Sequence, residues 1–331
     1  MGLKYSSFAI KGIDVSQFNG TVDWDKIVAD FSGIRVGYGH TIDTKFKENW
    51  MNSKGKVNRI PYWYMDYYSN YIQGWAGFGM KDYAFGAKQA DICHNALEND
   101  MEGAVFLDIE NGNPNYAPAL STVSQRAQAI AKGFLQHMDE LNNKTNGIYC
   151  SLDLLKWFDD WFKDRPLWVA WYDENQSIAS VLKAVRAAGW RGPVCIWQYA
   201  SDGDMDDDGL GDGVAMGTKV KTLDLNALMI TASQYRNLFG GWIVIQNVPV
   251  DKPDDEVPVV VPVETIKAGK YKVTALPWVN VRSGPGVTEN KLTTLLPGKE
   301  IEVAEVVSGP GSGKGWGKVE VYVALDCLKK V

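Results

Sequence analysis

The stretch "AVFLDIENGN" (residues 104–113) ends an apolar run with two acids, Asp108 and Glu110, one residue apart. Side chains alternate between faces along a strand, so Asp108 and Glu110 share a face with Phe106, and Leu107 and Ile109 take the other. Two like charges on one face repel, and burying either is unfavourable. Folding alone gives no reason for the pair. It reads as a solvated strand end, as acids each satisfied by an Arg or by backbone N–H groups, or as a site.

Outward from this strand, apolar runs alternate with amphipathic segments. "GIRVGYG" (33–39), "RIPYWYMDYY" (59–68), "GAVFLDIE" (103–110), "TNGIYCS" (145–151), "PLWVAWY" (166–172), "VCIWQYA" (194–200) and "KTLDLN" (221–226) read as strands, as do Ile10 to Val15. Helical patterns span 84–100 and 121–143. Such alternation predicts a β/α barrel or a doubly wound sheet. No GxGxxG or GxxxxGK[ST] follows any strand, which disfavours a nucleotide-binding sheet. In a barrel the functional groups gather where strands meet the loops that follow them. Asp14 ends "KGID", Asp108 and Glu110 end "VFLDIE", and Asp224 lies in "KTLDLN", so the four acids are expected at one mouth.

The 331 residues hold 45% hydrophobic and 22% charged side chains, the balance of a soluble globular protein. No apolar run reaches about 18 residues, so no membrane span is expected. The N-terminus lacks the apolar core of a secretory signal, and its match to M-G-x-x-x-[ST] is read as chance. Cys93, Cys150, Cys195 and Cys327 show no C-x-x-C spacing and read as buried free thiols, as in a reducing cytoplasm. Most of the 13 Trp and 15 Tyr are expected in the core, and the surplus also suits a groove in which sugar rings stack on aromatic faces.

Composition changes after residue 244. The segment 245–264 contains "NVPVDKPDDEVPVVVPVE" (247–264), with four prolines and five acids, and reads as an extended linker. Residues 265–331 read as a small all-β unit of short strands between Gly/Pro turns. That unit carries 10 basic and 6 acidic residues, whereas the whole chain has net charge −6. A basic module on an acidic chain points to an anionic surface as its partner.

These residues resemble the family 25 glycoside hydrolases, the muramidases of many phage endolysins. The similarity runs over about residues 10–240 and rests on "GIDVSQFNGTVDWDKI", "FLDIENG", "LWVAWY", "IWQYAS" and "LDLNAL", in order. The C-terminal unit resembles bacterial SH3-type (SH3b) wall-binding domains in "VTALPWVNVRSGPG", "LLPGKEIEV" and "GWGKVE". The resemblance implies an irregular β/α barrel over 1–244, a linker over 245–264 and a small SH3-like barrel over 265–331. It implies Glu110 as general acid and an ionised Asp108 that faces the oxocarbenium charge or orients the substrate's acetamide. Asp14 and Asp224 would hold the pair and the sugar, and Tyr64, Tyr149, Trp168, Tyr172 and Trp197 would stand near the groove. "PYWYMDYY" departs from the family's commoner Tyr-His-Phe, so Tyr62 competes with Tyr64.

Asp204, Asp206, Asp208 and Asp212 match positions of an EF-hand-like calcium loop, but Ala215 stands where its bidentate Glu belongs. A solvated acidic loop and a structural calcium site both remain open, and no cofactor is required for the chemistry. His40, His94 and His137 stand alone, without a zinc or Cys-His peptidase pattern. "NKT" (143–145) carries no meaning without secretion. The acidic balance lacks the basic stripe that nucleic acid needs.

The expectation is therefore a monomeric endolysin that cuts the β-1,4 bond between N-acetylmuramic acid and N-acetylglucosamine in peptidoglycan. It would be made in the host bacterial cytoplasm and released to the wall by a holin. Its rivals are a non-catalytic, lectin-like wall binder and a glucosaminidase or chitin-type hydrolase.

Overall fold

The computed structural model describes residues 4–98, 100–101, 103–112, 114–115, 117–173, 176–231, 234–236, 269–273, 279–283, 291–295, 299–307, 316–318, 322–324 and 328–330. The 245–264 segment, Cys327 and the Met1–Gly2 motif lie outside these residues. The chain divides into two units, Met1–Asp251 and Lys252–Val331.

In the first unit the strands are β1 (Lys11–Val15), β2 (Phe31–Tyr38), β3 (Thr41–Ile42), β4 (Asn58–Tyr64), β5 (Phe106–Asp108), β6 (Gly147–Ser151), β7 (Leu167–Ala170), β8 (Val194–Ala200) and β9 (Asp224–Leu228). They run in the order β1-β9-β8-β7-β6-β5-β4-β2-β3, and β1 also pairs with β2, which closes eight of them into a barrel. The pairings are parallel except around β9, antiparallel to both β8 and β1, and in the β2–β3 hairpin. The helices α1 (Phe46–Asn52), α2 (Asp82–Ala96), α3 (Ser124–Asn142) and α4 (Ile178–Ala187) are among the described elements of this unit.

Strand alternation sorts the side chains into two layers. Phe31, Ile60, Tyr62, Phe106, Tyr149, Trp168 and Ile196 pack together inside the barrel. Ile34, Val36, Trp63, Leu107, Ile148, Val169 and Trp197 join the larger core outside it. Asp66 stops β4 short of the expected strand, because its Oδ1 accepts the Tyr68 and Ser69 N–H groups and turns the chain. Asn143 ends α3 in the left-handed region at φ 53°.

Glycines set the bore of the barrel, with the Phe31, Trp168 and Phe106 rings lying against Gly12, Gly33 and Gly147. A Cβ on Gly33 would lie 2.7 Å from Asp14 Cβ and would run into the Trp168 indole. Gly33→Val is therefore expected to destabilise the protein by about 2–3 kcal/mol, the range for overpacking a filled core. A chemical denaturation midpoint equal to the parent's would show that the indole can move aside.

The second unit contains β10 (Gly269–Val273), β11 (Val279–Arg282), β12 (Lys291–Leu295), β13 (Glu300–Val303), β14 (Glu305–Val307), β15 (Trp316–Lys318), β16 (Tyr322–Ala324) and β17 (Leu328–Lys330). They form two sheets with antiparallel pairings, β13-β10-β17 and β12-β11-β16-β15-β14. Tyr271, Val281 and Val303 are buried.

Candidate active site

The inward-facing polar residues of the barrel meet in a cavity of about 640 Å³. Asp14, Asp108, Glu110 and Asp224 all line it, together with Tyr62, Tyr64, Tyr149, Trp168 and Tyr172. Parallel register sets Tyr64, Asp108 and Tyr149 side by side on β4, β5 and β6. Asp224 reaches the same mouth by a different route. It begins β9, and because β9 runs against its neighbours, its first residue lies opposite Asp14 near the end of β1.

Trp197 does not belong to this group. Its odd position on β8 turns it outward into the core, where it is fully buried and its Nε1 donates to the Trp171 carbonyl at 2.9 Å. Gln198, one residue on, is what β8 turns into the cavity.

A directed hydrogen-bond chain fixes the floor. Trp168 Nε1 is a donor only and binds Asn226 Oδ1 at 2.8 Å, which turns Asn226 Nδ2 toward Asp14 Oδ2 at 2.8 Å. Gln198 Nε2 donates to the same Asp14 oxygen at 2.9 Å, leaving Gln198 Oε1 to accept the Tyr149 hydroxyl at 2.7 Å and that of Tyr172. Asp14 also shares a hydrogen bond with Asp224. Two carboxyls directly opposite each other cannot both ionise without strong repulsion, so one holds a proton. With Asp14 Oδ2 already accepting two amide N–H groups, the proton falls to Asp224, whose pKa is pushed up to about 9 by burial and by the charge of Asp14.

Burial raises the pKa of both central acids. Asp108, 6% exposed, goes well above the usual carboxylate range, with the Glu110 and Asp14 charges adding to the effect. Glu110 is also raised, by burial and then by Asp14. Burial and the neighbouring Glu110 and Asp14 charges thus work against ionisation of Asp108 in the free protein, whereas the role that the resemblance implies for it needs the ionised form. Asp108 Oδ1 is buried with no hydrogen-bond partner. Tyr149 has one hydroxyl proton for two acceptors, Gln198 and Glu110. Turned to Gln198 it leaves Glu110 to donate as an acid, and turned to Glu110 it works against the raised pKa by stabilising the carboxylate.

Glu110, Tyr149 and Tyr172 also line a second cavity, which extends along Ser151, Leu152, Asp153, Ala170 and Trp171. Glu110 thus stands where two cavities meet. Arg35 was missed from the sequence although the alternation of β2 identifies it, because Phe31, Gly33 and Arg35 share the inner face. Among the described lining residues it is the one cation.

The acidic loop keeps apart from this site. Asp204, Asp206 and Asp208 place carboxylate oxygens within 4.8 Å of one another, whereas Asp212 accepts the Met205 N–H. None of these four lines the main cavity. Cys93, Cys150 and Cys195 are free and buried. His137 lies 2.8 Å from Asp91 between α3 and α2.

A family model described as glycosyl hydrolases family 25 matches residues 13–208. Among solved structures the chain is similar to a family 25 glycosyl hydrolase from Bacillus anthracis, at TM-score 0.51 and 16% identity over 72% of this chain and 97% of that one. It is similar to the bacterial lysozyme from Streptomyces coelicolor at TM-score 0.48 and 18% identity, over 70% and 97% of the two chains. A third similar structure is the modular autolysin LytC from Streptococcus pneumoniae in complex with a synthetic peptidoglycan ligand, at TM-score 0.46 and 16% identity, over 66% of this chain and 46% of that one. No curated protein matches the chain.

Proposed function

Because the chain belongs to family 25 of the glycosyl hydrolases, we propose that it is a lysozyme-type N-acetylmuramidase. It cuts the β-1,4 bond between N-acetylmuramic acid and N-acetylglucosamine in bacterial peptidoglycan. The observation that carries this reading is the placement of Asp108 and Glu110 in one open cavity, with Glu110 at its junction with the neighbouring cavity. A glycan laid through both cavities puts its scissile oxygen beside Glu110.

Glu110 then donates its proton to that oxygen, a task its raised pKa suits near neutral pH. Asp108 orients the 2-acetamido group by accepting its N–H at the unpartnered Oδ1, so that the acetamide oxygen attacks the anomeric carbon. The amide proton and the positive charge that develops on the ring both favour an ionised Asp108 once substrate is bound. Asp14 and Asp224 brace the floor, and Tyr64, Tyr149, Trp168 and Tyr172 form the walls.

The same reading makes the protein a phage-type endolysin, accumulating in the host cytoplasm and reaching the wall through a holin. Residues 265–331 act as an SH3b module, supported by the two sheets of short antiparallel strands and the module's basic charge. Removing 265–331 is expected to lower retention on purified sacculi in a pull-down, and undiminished retention would remove the module's role.

Mass spectrometry of borohydride-reduced digests tests the bond. Muramitol at the new ends is the expected result, whereas glucosaminitol would leave the family intact and overturn the bond assignment.

A further inference from the structure

Arg35 is a buried cation among acids, and its surroundings hold it in one place. Its Nε donates to Asp43 Oδ2 at 2.7 Å. That carboxylate also accepts the Gln17 N–H at 3.0 Å and, through Oδ1, the Lys45 N–H at 2.8 Å. The Phe18 and Tyr38 rings flank the guanidinium carbon at 5.0 Å and 5.7 Å. Arg35 is only 9% exposed, yet it lines the cavity, and its Nη2 is buried without a hydrogen-bond partner.

A buried N–H left unpaired is unfavourable unless an acceptor arrives. Every other ionisable carboxyl or base lining the cavity is acidic, namely Asp14, Asp108, Glu110 and Asp224. Arg35 is therefore the lining side chain that offers an oxygen-rich substrate group a positive charge and a free N–H. Phe18 is 72% exposed, so an entering group can edge that ring aside to reach Nη2.

On the muramidase reading, the two sugars of the substrate differ by the lactyl ether on O3, whose acyl group carries such an oxygen. The geometry points to Arg35 as the residue that recognises the lactyl acyl oxygen of a muramyl residue, with Phe18 and Tyr38 as the sides of the slot. Arg35 is then a specificity residue that tells muramyl from glucosaminyl units. A fixed guanidinium with nearby rings suits a planar acyl group better than a mobile ammonium does.

The test uses the full chain carrying Glu110→Gln, so that ligands are bound and not cut. Dissociation constants are measured for a GlcNAc–MurNAc tetrasaccharide with free lactyl carboxylates and for chitotetraose. The muramyl ligand is expected to bind at least tenfold tighter, and Arg35→Lys or Arg35→Gln is expected to bring the two affinities within about threefold. A residue with only a structural role would weaken both ligands equally and leave their ratio unchanged, which overturns the inference. So does equal affinity in the protein that keeps Arg35. If Arg35→Gln unfolds because Asp43 loses its partner, Arg35→Gln with Asp43→Asn removes both buried charges and the same ratio decides. Failure of the wild-type chain to produce muramitol ends would instead overturn the muramidase reading, separately from the binding ratio.

Discussion

Glu110→Gln is expected to lower kcat on purified peptidoglycan about a thousandfold, within the usual range for losing a general acid. The amide keeps the shape of the side chain and can still bond with the Tyr149 hydroxyl, but it has no proton to give the leaving oxygen. KM should change little, because the glycan contacts along both cavities remain. Stability should rise slightly or hold, since an acid that burial disfavours is replaced by a neutral group. Turbidity clearance and reducing-end release, with thermal melts as a folding control, check each part. Retained turnover in a folded Glu110→Gln protein would place the proton donor elsewhere.

Asp224→Asn is expected to stabilise the protein, increasingly as pH rises. The folded carboxyl is pushed up to about 9, against about 4 in an unfolded chain. Between those values the native state holds a proton that the unfolded state has released. Raising pH through this window therefore weakens the native state. The stability the proton supplies is fully present below about pH 4 and is lost by about pH 9. Asn keeps a neutral N–H donor facing Asp14 throughout. The difference between the two proteins should be small at pH 4 and grow through this window by at most about 1.4 kcal/mol per pH unit, to several kcal/mol by pH 9. Part of the difference comes through the neighbours, because Asp224 lowers the Asp14 pKa by its hydrogen bond and its charge raises that of Asp108. Parallel melting curves across the pH range would show that the shared proton is not on Asp224. Such a gain in stability at the expense of a site acid is the usual pattern where function has placed like charges together.

Much of the barrel was legible because its signal is local. Apolar alternation marked the strands, and acids at strand ends marked the mouth. What escaped depends on pairings between distant residues. Nothing in "KTLDLN" says that β9 runs antiparallel, so Asp224 was found in the right place without the reason that puts it there. Trp197 was placed in the groove for its ring, although the period of β8 assigns the cavity to Gln198 instead. Arg35 was passed over because an arginine in an apolar strand looks like a surface residue until the strand is known to be buried on both faces. The ionisation of Asp108 depends on four carboxyls from three parts of the chain, and no single motif contains that sum.

The bond from Asn226 to Asp14 spans 212 positions of chain, and β1 is held on one side by β9. During synthesis the ribosome must therefore release almost the whole first unit before the barrel can close. Until then β1 keeps an open edge, and Asp14 lacks the amides that hold it. Closing so long a loop carries an entropic penalty before any contact repays it, which favours slow folding and transiently exposed strand edges. A chain that ends before residue 224 lacks β9, the strand that joins β8 to β1, and so can neither close the barrel nor set Asp224 opposite Asp14.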